Sequence, residues 1–261
     1  MPSSSELVLE VRSLSKTYTQ GHWWQKKFHR RALNEVSLTL PAGKTLALFG
    51  KSGSGKTTLA MCLVGLERPD AGEIFLEGTD LSSLPRPARM IAQREIQLIF
   101  QDSAGALNPR MSAAEIIEEP RLIRGQHYSQ ERRVAVDTMM EQVGISPRWK
   151  HRFPHEFSGG QRQRLAIARA LVLRPKVLIL DEVFVGLDLS IQGQIANLLL
   201  ELQQAHGLSY LCISHNLSLV GQIADEIVEM DRGRILRPGS DISKKKQTSS
   251  LTTARGTYSG A

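Results

Sequence analysis

At 261 residues and 29.0 kDa the chain is long enough for one large domain or a core with a subdomain, and 41% apolar with 23% charged residues is ordinary for a globular protein. Its apolar runs fall far short of the roughly 18 residues that span a bilayer, and the opening Met1-Pro2-Ser3-Ser4-Ser5-Glu6 lacks the features of a secretory leader, so a cytoplasmic protein is expected. The formal charge of +7 would suit nucleic acid, anionic lipid or a nucleotide, but no basic stripe interleaved with aromatics favours nucleic acid.

Alternation of apolar residues predicts strands over Val8–Val11 and Val36–Leu40, with Gly21–Arg31 between them as an exposed polar and aromatic loop. The basic residues Lys26, Lys27, His29, Arg30 and Arg31 in that loop, and Lys244–Lys246 near the end, read as solvated faces. Thr45–Phe49 is a short apolar strand that runs into a glycine-rich loop, and Lys56–Leu66 then takes helical spacing. Further strands are expected at Ile74–Leu76 and Ile96–Phe100, a short helix from Pro85 to Arg94, and mostly helix from Ser112 to Met140. After Pro175 the chain alternates: strand Val177–Leu180, helix Ile191–Gln204, strand Leu208–Ile213, helix Leu217–Ala224, strand Glu226–Met230. Such alternation predicts a mainly parallel sheet covered by helices. Beyond Pro238, Ser, Lys, Thr and Gly predominate and a flexible tail is expected. Cys62 and Cys212 form no metal or redox spacing, and they read as core filler, as do Met139 and Met140.

The chemistry lies in four segments. Gly50-Lys51-Ser52-Gly53-Ser54-Gly55-Lys56-Thr57 fits G-x-x-x-x-G-K followed by Ser or Thr, and it stands between a predicted strand and a predicted helix. A triphosphate packs several charges into a small volume, so its site needs dense donors without bulky side chains. The glycines let successive backbone N–H groups turn inward above a helix N-terminus. Lys56 can then reach the β- and γ-phosphates, and the Thr57 hydroxyl can ligate Mg²⁺. Asp181, at the end of the strand Val177–Leu180, is placed to hold Mg²⁺ through water, and Glu182 beside it can act as general base. Adjacent residues of a strand face opposite ways, so both reach one site only if the chain bends there. His215 follows a later strand and can sense the γ-phosphate, while Gln101, closing its own strand, can touch both Mg²⁺ and the attacking water. One nucleotide site per chain is the count.

This ordered set, with Phe157-Ser158-Gly159-Gly160-Gln161 and Gly186-Leu187-Asp188, resembles the ATP-binding subunits of ABC transporters from about Leu7 to Ile235. The resemblance implies a P-loop NTPase of the α/β class, with a RecA-like core, an antiparallel β-subdomain and an inserted α-helical subdomain. One ATPase domain over 1–238 is expected, with core and β-subdomain in 1–101 and 158–238, the helical part in 102–157, and a basic tail at 239–261. It also implies ATP and Mg²⁺ as ligands, with Thr58 and Asp188 among the nucleotide-binding residues and Thr57, Gln101 and Asp181 around the metal. Ser158, Gly159, Gly160 and Gln161 would cap the γ-phosphate held by a second ATP-binding subunit, either a paralogue or an identical chain. Tyr18 stands where the family places an aromatic that stacks on adenine, with Trp23, Trp24 and Phe28 as rivals.

Phe100-Gln101-Asp102, Leu107-Asn108-Pro109-Arg110, Phe153-Pro154-His155-Glu156 and Leu189-Ser190-Ile191-Gln192 are similar to the nickel, dipeptide and oligopeptide importer group. Gln101-Asp102-Ser103 and the Lys/Ser/Thr ending look most like the second ATPase of nickel importers, the peptide importers being the alternative. Two permease subunits and an extracytoplasmic solute-binding protein are the partners so implied, with the chain peripheral on the cytoplasmic face of the membrane. A clamp on nucleic acid or ribosomes is a further rival. The chain departs from the family at Phe157, usually leucine, at Val183, usually proline, and at Val185, usually a serine that helps the two sites communicate.

Overall fold

The computed structural model describes residues 7–20, 28–100, 105–125 and 129–236, without the side chains of residues 20, 28, 129, 131, 132 and 217–219. A long antiparallel hairpin, β1 (Leu7–Gln20) and β2 (Phe28–Pro41), precedes the short central strand β3 (Thr45–Phe49) and helix α1 (Lys56–Leu63). Then follow β4 (Ala71–Leu76), β5 (Thr79–Asp80), α2 (Arg86–Gln93) and β6 (Ile96–Ile99). Two helices, α3 (Ala113–Ile123) and α4 (Ser129–Gln142), lead through 3-10 turns to α5 (Gly159–Leu171). The remainder is β7 (Val177–Asp181), α6 (Leu189–His206), β8 (Ser209–Ser214), α7 (Leu217–Ile223), β9 (Glu226–Asp231) and β10 (Arg234–Leu236).

Six strands form one sheet in the order β10-β9-β3-β8-β7-β6, parallel except for the β10–β9 edge. Four strands form a second, antiparallel sheet in the order β2-β1-β4-β5. Strand alternation divides the core between the two faces of the larger sheet. Leu178, Leu180, Tyr210 and Cys212 join the cluster that includes α3, α4, α5 and α6. Val177, Ile179, Leu211 and Ile213 join the one that includes α1 and the antiparallel sheet. Every residue of β7 and β8 is buried, as expected of strands covered on both faces. Cys62 and Cys212 are free thiols in this packing, pushed up to about 11 and about 12 by burial.

The sequence expectations need correction at several edges. The first two strands are 14 residues each, and β2 begins at Phe28, so the last residues of the expected Gly21–Arg31 loop are strand. Residues 21–27, including Trp23 and Trp24, lie outside the described residues. Helix α1 stops at Leu63 rather than Leu66, because Gly65 at φ 78° turns the chain. The stretch from Ser112 to Met140, expected to be mostly helical, holds two separate helices, α3 and α4. Ser112 and Glu115 cap α3 reciprocally, and Gly125 at φ 79° follows its end. The edge strand β10 and the two-residue β5 had no expected counterpart.

Candidate nucleotide site

The carboxyl ends of the central parallel strands meet on one edge of the sheet. Phe49 of β3 is level with Ser214 of β8, and Asp181 of β7 is level with Ile213. Open α/β sheets bind ligands in the crevice outside such ends. Here that crevice is a cavity of about 580 Å³, walled by the loop and helix start from Lys51 to Thr58, by Asp181, Glu182 and His215, and by Tyr18, Arg30 and Ala32 of the antiparallel sheet.

The loop between β3 and α1 is shaped by what its glycines avoid. A Cβ on Gly50 would lie 2.2 Å from the Met230 carbonyl oxygen, and one on Gly55, at φ 112°, 2.3 Å from the Ala32 carbonyl oxygen. Lys56 folds back under this loop. Its ammonium donates to the carbonyls of Gly50 at 2.7 Å and Lys51 at 3.0 Å, and to Ser54 Oγ at 3.4 Å. Burial lowers its pKa, while Glu182 and Asp181 partly offset that effect.

Thr57 Oγ1, in the first turn of α1, donates to Asp181 Oδ2 at 2.9 Å. The Asp181 carboxylate is buried, and its Oδ1 has no hydrogen-bond partner. Burial raises its pKa, and the Thr57 hydrogen bond lowers it. Buried polar atoms are seldom left unpaired. A hydroxyl and an unsatisfied carboxylate oxygen are hard donors that fit a cation of the Mg²⁺ kind. Among the described residues no cage of three or more His, Cys, Asp or Glu exists. Such an ion would therefore rest on few protein ligands, with water and phosphate oxygens completing its shell.

The bend that sequence reasoning required after Asp181 is present. Glu182 takes the left-handed conformation at φ 54° and donates its N–H to the Ile213 carbonyl at 3.0 Å. Both carboxylates consequently face the same cavity. Glu182 Oε1 lies 2.8 Å from His215 Nδ1, whereas Oε2 is buried without a partner. An ionised carboxylate only accepts, so the imidazole proton of this pair sits on Nδ1.

Tyr18 is on the cavity wall, with Lys16 Nζ 5.3 Å from its ring centroid. Gln101 lies outside the described residues, as do Asp102 and Ser103. Ser158, Gly159, Gly160 and Gln161 are absent from the wall. Ser158 caps α5 instead: its Oγ accepts from the Gln161 N–H at 3.3 Å, and Gln161 Oε1 accepts from the Ser158 N–H at 3.0 Å. Asp188 is likewise away from the wall, accepting from the Ile191 N–H at 2.9 Å as the cap of α6. The two capped helix starts pack together, since a Cβ on Gly160 of α5 would lie 2.7 Å from Ile191 Cγ2 of α6. Sequence reasoning missed Arg30 and Ala32 as wall residues. The basic cluster carried part of the signal, but Arg30 falls opposite Tyr18 only in the shifted register of the β1–β2 pairing.

A family profile described as ABC transporter matches residues 33–185. The di/tripeptide transport ATP-binding protein DppF of Pseudomonas aeruginosa is 44% identical over 230 residues, covering 88% of this chain and 71% of its own length. The dipeptide transport ATP-binding protein DppF of Escherichia coli is 46% identical over 210 residues, covering 80% of this chain and 63% of its own length. Among solved structures, cbiO1 from Clostridium perfringens, part of the ABC transporter complex cbiONQ, superposes at a TM-score of 0.82 with 28% identity, over 96% of both chains. A dimeric ATP-binding cassette in a post-hydrolysis state with ADP and Pi does so at 0.75 with 27% identity, over 88% of this chain and 97% of its own. With the glycine loop, the buried carboxylates and the two-sheet architecture in place, this chain belongs to the ABC transporter family, as an ATP-binding subunit that hydrolyses ATP.

Proposed function

We propose that the chain is the ATPase of a dipeptide or oligopeptide importer, working in pairs on separate permease subunits fed by a solute-binding protein. The convergence of Lys56, Thr57, Asp181, Glu182 and His215 on one cavity, with Ser158–Gln161 turned away from it, carries the ATPase part. The cargo class rests on relatives that carry peptide-transport names. They favour this reading over the nickel importer suggested by Gln101-Asp102-Ser103.

In this reading the inward amides of the glycine loop and Lys56 hold the phosphates. Thr57 and Asp181 would hold Mg²⁺, Gln101 being the further ligand that the family resemblance implies, and the ion would supply charge neutralisation to the phosphates. Glu182 takes the proton of the attacking water, and the Nδ1–H of His215 keeps that carboxylate oriented. Tyr18 supplies an aromatic face for the base. Ser158–Gln161 of a second subunit, with Asp188 beside them, completes the donor shell around the γ-phosphate, so ATP closes the pair. The segment 102–157 faces the permease. Leu107, Pro120 and Ile123 of that segment help line a groove of about 180 Å³ of mixed polarity, shared with Phe100, Gln97 and Arg169. No described helix is long and apolar enough to cross a membrane, which fits a peripheral position on the cytoplasmic face.

The test is ATP turnover by the complex reconstituted with its permeases and binding protein in proteoliposomes. Stimulation by peptide-loaded binding protein is expected. Stimulation by a nickel chelate and not by peptide would replace the cargo reading and leave the ATPase reading intact. Failure to release phosphate at all would remove both.

A further inference from the structure

The hydrolysis chemistry gives Arg30 no task, although its side chain lines the nucleotide cavity. Arg30 pairs directly with Tyr18 across the antiparallel β1–β2 hairpin. Residues opposite one another in such a pair project to the same face. Its guanidinium reaches from β2 to the glycine loop, where Nη2 donates to the Gly53 carbonyl at 3.3 Å. The absence of a side chain at Gly53 is what makes room: a Cβ there, at φ 77°, would lie 3.1 Å from Nη2. Among the described residues this long bond to a neutral carbonyl is the hydrogen bond Arg30 makes, and none of its ion pairs involves Arg30. Lys56, by contrast, is already engaged with two loop carbonyls. A guanidinium so weakly held, on the wall of the nucleotide cavity, is poised to exchange its carbonyl for an anion. Its planar fork matches phosphate oxygens, and charge-assisted bonds are roughly twice as strong as neutral ones.

We propose that Arg30 is a second phosphate-binding residue of this site: on nucleotide binding its guanidinium leaves Gly53 and bonds the phosphate chain in the part common to ATP and ADP. The assignment rests on the nucleotide-site reading above and adds to it a cation from the antiparallel sheet. Tyr18 and Arg30 then form a two-pronged grip, the ring for the base and the cation for the phosphates. The antiparallel sheet thereby becomes a sensor of any bound nucleotide, spent or fresh.

The full-length chain is titrated with MgADP and, separately, with adenosine, as wild type, Arg30→Ala and Arg30→Lys. Arg30 is exposed, and neither substitution disturbs the core. The expected result is an MgADP dissociation constant about tenfold higher in Arg30→Ala, partly restored in Arg30→Lys, with adenosine affinity the same in all three. The MgADP affinity of the wild type also falls more steeply with salt than that of Arg30→Ala. Equal MgADP affinity in wild type and Arg30→Ala overturns the assignment while leaving the nucleotide site standing. A loss of the same size for adenosine overturns it in favour of a base contact. A wild-type chain that binds no MgADP overturns the nucleotide site itself and Arg30 with it.

Discussion

Substituting Glu182 by glycine, alanine and glutamine separates the chemistry of its side chain from the strain of its backbone. At φ 54° an L-residue crowds its own Cβ against the carbonyl oxygen that follows, at a cost of roughly 1–2 kcal/mol that glycine escapes. Alanine ordinarily outperforms glycine by about 0.5–1 kcal/mol, because it has less chain entropy to lose. The glycine and alanine variants forfeit the same contacts, the 2.8 Å bond to His215 and the burial of Oε2. Their difference therefore isolates the backbone, and the midpoints of the two ranges leave the glycine variant more stable by about 0.75 kcal/mol. For a chain of this size that is about 2 °C in Tm. Thermal unfolding without nucleotide, followed by calorimetry at several scan rates, reads the difference. Phosphate release should fall by about two to four orders of magnitude in all three variants if Glu182 is the general base proposed above. The glutamine variant keeps the side chain's shape and an acceptor for His215, so it still binds ATP. An alanine variant that melts at or above the glycine variant would refute the strain argument. Normal turnover in the glutamine variant would refute the base assignment.

Three further outcomes follow from the same geometry. Lys56→Ala removes the cation aimed at the phosphates and strips the Gly50 and Lys51 carbonyls of their donor, so nucleotide affinity measured by titration should drop at least about tenfold. Unchanged affinity would contradict the role given to Lys56. Gly50→Ala drives a methyl into the fixed Met230 carbonyl at 2.2 Å, so it should cost about 1–3 kcal/mol in denaturant unfolding and abolish nucleotide binding; a variant as stable as wild type would show that the loop is looser than its contacts imply. Ser158→Ala removes the cap of α5, worth about 1 kcal/mol, and the donor proposed to reach the nucleotide of a second subunit. ATP-dependent pairing measured by light scattering should weaken while binding to the isolated chain persists; loss of binding to the isolated chain would place Ser158 in its own site.

What sequence reading captured and what it missed divide along a physical line. The strand, glycine loop and helix around Lys56 were legible because each element carries its own period and the loop its own glycines. Strand β7 was legible because a strand buried on both faces is a plain apolar run. The long β1–β2 hairpin shrank to Val8–Val11 and Val36–Leu40 because its alternation is broken from within. Ser13 at φ 48° and Glu35 at φ 56° are left-handed, and the pairing register slips between Val11 and Leu14 and again on either side of Lys16. Each slip reverses which residues face inward, so a search for period two stops at the bulge. That break hid Arg30, whose membership of the cavity depends on a register that local pattern cannot carry across these slips. The bend at Glu182 was inferable only as a requirement, since glutamate does not advertise a positive φ as glycine does. Ser158–Gln161 presents the opposite case. Its residues read locally as a capping box, and the structure holds them as one, away from the cavity of their own chain. A motif can thus be fully satisfied as local structure and still present its exposed Ser158 to a ligand that another copy or paralogue must bring. The intramolecular bonds that satisfy α5 also hold that serine rigidly in place, so the cap that hides its function from a single chain is what would preorganise it for a pair.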